Sequence, residues 1–252
     1  MTILALHGFT GCGADFVPFA ELCGGHWHCP DLPGHGECAL STGATTPGAM
    51  VNFVDRQGPA CADQASAPKI LLGYSMGARA ALLHASKFPR KWDALILISA
   101  NPGIENETGR AERRSADGDL ADTIERQGVD AFLEFWQNTP LIRSQKSIPA
   151  DWLAVMQANR RKHEAGGLAD SLRQFGQGSF PNLWPELSKL PMPVCLITGS
   201  HDSKYTEIAR RMLPRINSPL SSHTVIERAA HMPHLEKAEE TADATRRFIG
   251  QL

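Results

Sequence analysis

Residues 70–79 compress a strand, a tight turn and the start of a helix into ten positions. Ile70-Leu71-Leu72 is a short apolar run, Gly73-Tyr74-Ser75-Met76-Gly77 has the spacing G-x-S-x-G, and Ala78 to Ser86 favours helix. A serine at the centre of so sharp a turn adopts a strained backbone conformation. The residues two before and two after it must lack bulk, which accounts for Gly73 and Gly77. The Ser75 hydroxyl is then presented at the carboxyl end of a strand and at a helix N-terminus, whose N–H groups favour developing negative charge. This is the local architecture of a nucleophile elbow, and it requires a sheet before the serine and a helix after it.

The rest of the chain supplies that sheet. Residues 2–7 read as a buried strand, followed by the glycine-rich turn His7-Gly8-Phe9-Thr10-Gly11-Cys12-Gly13. A helix is expected over about 15–22, with Phe16, Phe19, Ala20 and Leu22 available for one face. A second strand over 26–29 ends in the turn formers Asp31-Leu32-Pro33-Gly34-His35-Gly36, more readily structural than catalytic. Residues 39–49 read as an exposed loop, 47–57 as a helix, 70–73 as a strand and 76–87 as a helix. Ala94-Leu95-Ile96-Leu97-Ile98 is apolar throughout, as in a parallel sheet covered on both faces. After Asn101-Pro102-Gly103 the composition changes, and 105–178 is charged and helical in pattern with no convincing strand. Arg110, Glu112, Arg113, Arg114, Asp117 and Asp119 crowd its first part, and Phe132, Leu133, Phe135 and Trp136 fall at helical spacing. A second charged helix is expected over about 151–164. The sheet resumes at 193–199, followed by a helix over 206–213, a strand over 222–226 and a terminal helix over 238–252. Strands alternating with helices in this way predict an α/β fold with a mostly parallel, doubly wound sheet. The segments 1–104 and 186–252 would form its core, and 105–185 a helical cap over the carboxyl edge.

Two loops downstream of Ser75 hold what a serine needs to react. A serine hydroxyl is a poor nucleophile or base unless a histidine accepts its proton, and that histidine needs a carboxylate on its other nitrogen. Gly199-Ser200-His201-Asp202 follows one strand and Ala229-Ala230-His231-Met232-Pro233-His234 follows the last. Asp202 is the candidate acid; a helix N-cap would explain it alone, but Ser75, Asp202 and His231 all at strand ends in the order serine, acid, histidine is much less expected by chance. His231 is preferred over His234 as base because it comes first after the strand. An oxyanion hole requires two N–H groups aimed at one point. Met76 offers one, and the turn after the first strand offers Phe9 or Thr10, of which Phe9 is favoured.

Charge and motif content exclude several classes. The net charge of −2 gives no electrostatic reason to bind nucleic acid or a membrane surface. No apolar run approaches the roughly 20 residues that span a bilayer. The start of the chain, Met1 to Gly8, lacks a basic leader and runs straight into a strand, so a cytoplasmic location is expected. Cys12, Cys23, Cys29, Cys38, Cys61 and Cys195 contain no C-x-x-C pair and are expected as free thiols, several of them buried. Cys23 and Cys29, with His26 and His28, match no zinc spacing. Gly8 to Gly13 lacks the Lys-Ser/Thr of a phosphate-binding loop, and no nucleotide, flavin or metal motif appears, so no cofactor is expected. The expected partner is a small organic substrate. A homodimer is compatible with the sequence.

His7-Gly8-Phe9-Thr10-Gly11, Asp31 to Gly36, Gly73 to Gly77, Gly199 to Asp202 and Ala230-His231 together resemble the α/β-hydrolase superfamily, whose triads run Ser, acid, His along the chain. A narrower set is similar to the family of 2-succinyl-6-hydroxy-2,4-cyclohexadiene-1-carboxylate synthases of menaquinone or phylloquinone biosynthesis. That set is Gly73 to Arg79, Asn101-Pro102-Gly103-Ile104, Arg110 to Arg113 with Asp117, Phe135-Trp136, and Asp202-Ser203-Lys204-Tyr205. The resemblance implies a carbon–oxygen lyase that eliminates pyruvate from an anionic cyclohexene. It gives Ser75, activated by His231 and Asp202, the removal of a ring proton. It has the Phe9 and Met76 N–H groups hold an enolate-like oxygen, Arg79 and Arg113 pair with substrate carboxylates, and Tyr74 and Trp136 line the pocket. An Arg one helical turn past the serine suits a polycarboxylate, because the guanidinium is a planar, permanently charged fork. The alternative is a serine carboxylesterase or carbon–carbon bond hydrolase acting on a small substrate; a non-enzymatic ligand receptor would more commonly have a damaged elbow. This chain departs from the usual patterns in three places. It starts at the strand before His7, which leaves about six strands, it has Ala230 before His231 where Gly is more usual, and it has Tyr205 where the synthases often have Phe.

Overall fold

The computed structural model describes residues 1–38, 44–58 and 68–252. Cys61 and much of the predicted 39–49 loop lie outside the described residues. Along the chain come β1 (Thr2–Leu6), α1 (Val17–Cys23), β2 (His26–His28), α2 (Pro47–Gln57), β3 (Lys69–Tyr74), α3 (Met76–Lys87) and β4 (Ala94–Ile98). Three helices follow, α4 (Glu107–Trp136), α5 (Ala150–Arg160) and α6 (Ala165–Phe175). The chain then returns to β5 (Val194–Gly199), α7 (Ser203–Met212), β6 (Ser222–Ile226), α8 (Pro233–Glu236) and α9 (Ala238–Ile249). The six strands form one sheet in the order β2-β1-β3-β4-β5-β6, each pairing parallel.

Period-two alternation in the strands explains why helices cover both faces. Leu4, Leu6, Leu71, Leu95, Leu97, Val194 and Leu196 point to one side, where they pack with Met50, Val54 and Leu82 from α2 and α3. Ile3, Ala5, Ile70, Leu72, Ile96, Ile98 and Ile197 point to the other, against Phe16, Phe19 and, from α9, Phe248. A strand buried on both faces reads as a continuous apolar run, as the 94–98 segment does. The order reverses at β1 and β3, and in open α/β sheets the crevice beyond the carboxyl ends at such a switch point is where ligands bind. Leu6 pairs with Gly73, Tyr74 with Ile98 and Gly199 with Ile226, so the loops after β1, β3, β5 and β6 meet on that edge.

Several boundaries differ from the sequence expectation for identifiable reasons. The first helix opens with a 3-10 turn, Gly13–Phe16, because Pro18 sits in the first turn of α1, where a missing N–H costs nothing. The helix expected over 206–213 begins at Ser203, since the Asp202 side chain accepts from the Tyr205 N–H and caps it. The helix expected to run to 164 stops at Arg160, and α6, which the sequence did not resolve as a separate helix, starts at Ala165. Gly166 and Gly167 weaken its helical signal. Gly167 has a packing reason, because a Cβ there would lie 2.5 Å from the Gly34 carbonyl oxygen, so α6 presses backbone to backbone on the 31–36 turn. Helix α4 breaks at Gly128, which has φ of 81°. It packs on α6 around Ala121, Ile124, Phe132, Leu168 and Leu172, a small core separate from the two on the sheet. Cys12, Cys23, Cys38 and Cys195 are free thiols, and burial pushes those of Cys12, Cys23 and Cys195 up to about 12. No helix among the described residues is long and apolar enough to cross a membrane.

Candidate active site

The elbow has the strain its sequence predicts. Ser75 has φ of 52° and ψ of −104°, outside the regions an L-residue normally adopts. Its glycines are required by contact. A Cβ on Gly73 would lie 2.4 Å from the Gly77 carbonyl oxygen, and one on Gly77 would lie 1.9 Å from the Leu6 carbonyl oxygen. The N-terminus of α3 therefore rests directly on the end of β1. We expect Gly77→Ala to destabilise the protein by about 1–3 kcal/mol or more through overpacking against fixed backbone. Gly48→Ala in α2, where a methyl meets nothing within 4 Å, should leave stability unchanged or slightly raised. Urea unfolding of the two variants side by side checks this.

Ser75, His231 and Asp202 stand in one hydrogen-bonded line. Ser75 Oγ lies 3.0 Å from His231 Nε2, and His231 Nδ1 lies 2.6 Å from Asp202 Oδ2. His231 and Asp202 are both buried. Asp202 serves both readings open in the sequence, because its Oδ1 caps α7 while its Oδ2 holds the imidazole. The loop carrying His231 is anchored by Ser99, whose hydroxyl donates to the His231 carbonyl at 2.8 Å. His234 borders a chamber beside Ser75 but is not bonded into that line. Its ring lies among Phe16, Phe19 and Tyr74, its Nδ1 has no partner, and burial pulls its pKa down to about 3.

The turn after β1 forms the facing wall. His7 is buried, accepts from the Leu32 N–H through Nε2 and donates from Nδ1 to the Gly8 carbonyl, which fixes the neutral tautomer. Burial lowers its pKa to about 4. Gly8 is bare because a Cβ would meet the Tyr74 ring at 2.6 Å. Phe9 and Met76 border the chamber beside Ser75, and among the described residues no acceptor is bonded to either backbone N–H. The 31–36 turn is a scaffold, with Asp31 accepting from the Gly13 and Glu37 N–H groups.

Two small chambers meet at Ser75. One, of about 40 Å³, is bordered by Gly8, Tyr74, His231 and Arg160; the other, of about 90 Å³, by Phe9, Met76, Arg79, Arg113 and Tyr205. Trp136 borders both, and it also borders a vestibule of about 450 Å³ containing Arg113, Lys204 and His201. The Trp136 indole stacks on Phe132 and meets Phe9 edge-on, and its buried Nε1 has no partner. The neighbouring Phe135, quoted with it from the sequence, is 59% exposed and faces away.

The arginines are the most unusual feature of this space. Arg79 is only 7% exposed, donates to the Phe175 carbonyl at 2.7 Å and lies over the Phe175 and Phe180 rings. Among the described residues no carboxylate pairs with it, and burial draws its pKa down to about 10. Arg113 donates from Nε to Asp117 at 2.7 Å and from one terminal nitrogen to Gln177. Gln177 in turn donates to the Tyr205 hydroxyl, whose ring lies 4.4 Å from that of His231. Arg160 was not singled out from the sequence. It is buried, donates to Gln145 at 2.9 Å, and leaves its Nε without a partner. Arg161 and Lys162 beside it make all three look like one solvated helix end, so only packing reveals which one turns inward.

Residues 3–244 match the sequence model of the alpha/beta hydrolase family. The chain belongs to the alpha/beta hydrolase family. Among its relatives is a Bacillus subtilis (strain 168) protein provisionally named 2-succinyl-6-hydroxy-2,4-cyclohexadiene-1-carboxylate synthase, 34% identical over 93% of this chain and 85% of that protein. A Photorhabdus laumondii protein named as the same synthase is 28% identical over 97% of this chain and 84% of its own length. The solved structure described as MenH from S. aureus superposes with a TM-score of 0.91 at 30% identity, covering 100% of this chain and 94% of that one. For an alpha/beta hydrolase, the arrangement around Ser75 allows two kinds of chemistry. A serine hydroxyl bonded to a histidine can attack a carbonyl or can relay a proton, and the same two N–H groups can hold either resulting oxyanion.

Proposed function

We propose that this alpha/beta hydrolase is a 2-succinyl-6-hydroxy-2,4-cyclohexadiene-1-carboxylate synthase, a lyase that removes pyruvate from 2-succinyl-5-enolpyruvyl-6-hydroxy-3-cyclohexene-1-carboxylate. The observation that carries this reading is Arg79, a buried guanidinium that opens onto the same chamber as Ser75 and has no carboxylate partner among the described residues. An unpaired buried charge is costly to maintain, so a site that keeps one calls for an anionic ligand. Arg113 and Arg160 border the adjoining space, which matches a substrate carrying several carboxylates. The names of the relatives point to the same reaction.

The residues then take the following roles. His231, oriented by Asp202, holds the Ser75 proton, and Ser75 oxygen removes the proton from the ring carbon bearing the succinyl group. The electron pair moves through the ring double bond and expels the enolpyruvyl oxygen, and the departing enolate takes up a proton to become pyruvate. The Phe9 and Met76 N–H groups stabilise the enolate-like oxygen, Arg79, Arg113 and Arg160 hold carboxylates, and Tyr74 and Trp136 shape the pocket. Neither inner chamber approaches the roughly 300 Å³ typical of a small-molecule site. We read 105–185 as a cap closed over the site, with Trp136 as the wall that must move to admit substrate. In this reading the protein is a cytoplasmic enzyme of quinone biosynthesis that needs no cofactor.

A paired assay on the purified protein tests the assignment. Rapid pyruvate release from the enolpyruvyl substrate, with feeble hydrolysis of a short p-nitrophenyl ester, is expected. Ester hydrolysis without pyruvate release would return the site to a serine hydrolase, the alternative that the same triad serves. In the same assay Arg79→Ala should lower kcat/KM for the anionic substrate by about 100-fold, the scale of a lost charged hydrogen-bonded partner. The neutral ester should change far less. Equal losses on both would remove Arg79 from carboxylate binding.

A further inference from the structure

The loop that carries His231 is held by a buried carboxylate that the proposed chemistry does not use. Glu236 lies in the four-residue helix α8 and is 5% exposed. Its Oε2 accepts from the Ala230 N–H at 2.5 Å, and its Oε1 accepts from the Met232 N–H at 3.2 Å. One side chain therefore grips the backbone immediately before and immediately after the histidine. Among the described residues no Lys, Arg or His pairs with Glu236, so its partners are these N–H groups and one hydroxyl.

That hydroxyl comes from the helical segment above the sheet. Ser144, in the 3-10 turn Arg143–Ser147 between α4 and α5, donates to Glu236 Oε1 at 3.0 Å. The next residue, Gln145, lies 3.3 Å from the Met232 sulfur through Nε2 and accepts from Arg160 at 2.9 Å. Arg160 borders the chamber at Ser75. A continuous series of contacts thus runs from the chamber through Arg160 and Gln145 to Met232, and from Ser144 through Glu236 to both peptide groups flanking His231.

We propose that Glu236 is a positioning residue that holds the His231 imidazole in line with Ser75 and makes that alignment depend on the 143–147 turn being seated. With the turn in place, the carboxylate accepts from three donors, one of them from outside the loop. With the turn lifted, Ser144 and Gln145 withdraw, and the Glu236 carboxylate keeps only the two loop N–H groups among these donors. His231 then accepts the Ser75 proton efficiently only when the turn is seated. A carboxylate suits this role because each oxygen accepts independently. Glutamine cannot replace it, since its NH₂ would face one of the two N–H donors.

The proposal rests on Ser75 and His231 acting together, so the two readouts that decide it need no knowledge of the substrate. The first is the rate of Ser75 modification by a small organophosphonate. The second is the far-downfield proton resonance of the short His231–Asp202 hydrogen bond. Misplacing a reacting group by an ångström costs about 100-fold, and we expect Glu236→Gln to lose that much in phosphonylation rate and in kcat, with KM within about twofold. The downfield resonance should broaden or vanish while the melting temperature shifts little. Ser144→Ala removes a single hydrogen bond and should lose about fivefold in the same two rates. Glu236→Asp, which keeps both acceptors on a shorter arm, should recover part of the loss. A folded Glu236→Gln protein with wild-type phosphonylation and an intact resonance would overturn the proposal. Should Glu236→Gln fail to fold, Ser144→Ala decides, and an unchanged phosphonylation rate in it overturns the proposal too. If pyruvate release fails in the wild type while these two readouts respond as expected, the synthase assignment falls and the positioning role stands.

Discussion

Ser75→Ala should lower turnover by about 10⁴-fold or more while the protein stays folded. The hydroxyl lies 3.0 Å from His231 Nε2, and nothing else in the line from Asp202 carries a proton-transferring group to the chamber. Removing one oxygen leaves the arginines, the N–H pair and the enclosed walls intact, so substrate should still bind and KM should change little. Stability separates two variants that activity does not. Alanine keeps a Cβ at φ of 52° and ψ of −104°, so Ser75→Ala inherits the strain of the elbow. Glycine visits positive φ freely, and Ser75→Gly should be more stable than the wild type by about 1 kcal/mol, within the range such strain stores. Circular dichroism and urea unfolding measure this alongside pyruvate release. A Ser75→Ala protein with near-normal turnover would remove Ser75 from the chemistry. A Ser75→Gly protein less stable than Ser75→Ala would show that the surroundings hold the elbow without strain.

What the sequence made legible follows from how local each determinant is. The elbow is written in five consecutive residues, because steric exclusion at Gly73 and Gly77 acts through neighbours in the chain and in the adjoining strand. The sheet is legible because a strand buried on both faces has no polar positions, as at 94–98. The ends of α2 and α3 were readable to the residue, since Pro47 opens one and the elbow opens the other. The helical segment was not legible in this way. Whether Arg79, Arg113 or Arg160 turns inward depends on packing between α3, α4, α5 and α6, and each carries the same signal as a solvated charged residue. Arg79 settles beneath Phe175 and Phe180, which are about a hundred residues away. Helix α6 itself was obscured by Gly166 and Gly167, and one of those glycines is explained only by the Gly34 backbone it touches. Glu236 was hidden for the same reason, because its partners are backbone groups that no side-chain pattern reports.

Acid should unfold this protein well above the range where its carboxylates titrate. His7 and His234 are buried, and burial lowers their pKa values from about 6.5 to about 4 and about 3. His35, His84, His163 and His223 are also lowered, each chiefly by burial. The unfolded chain binds a proton at each of these sites near pH 6.5, whereas the native state does not. The unfolded state therefore holds more protons across the window, and stability rises with pH. The contribution is fully present above about pH 6.5 and is lost as the pH falls from there toward the folded values. Each such group contributes a slope of about 1.4 kcal/mol per pH unit, so His7 and His234 alone remove several kcal/mol by pH 4.5. That is a large part of the roughly 5–15 kcal/mol that holds a domain folded. Asp15 opposes the trend, because burial raises its pKa and protonation then favours the native state, but it is a single group against six. Urea unfolding between pH 8 and pH 4.5 should show a plateau above pH 7 and a steep decline below pH 6.5. His234→Phe, which puts a non-titrating ring beside Phe16 and Phe19, should flatten that decline by about 1.4 kcal/mol per pH unit. A stability curve that stays level down to pH 4.5 would mean that the native fold admits protons to these rings, and that the neutral His7 wall of the site is not fixed by burial.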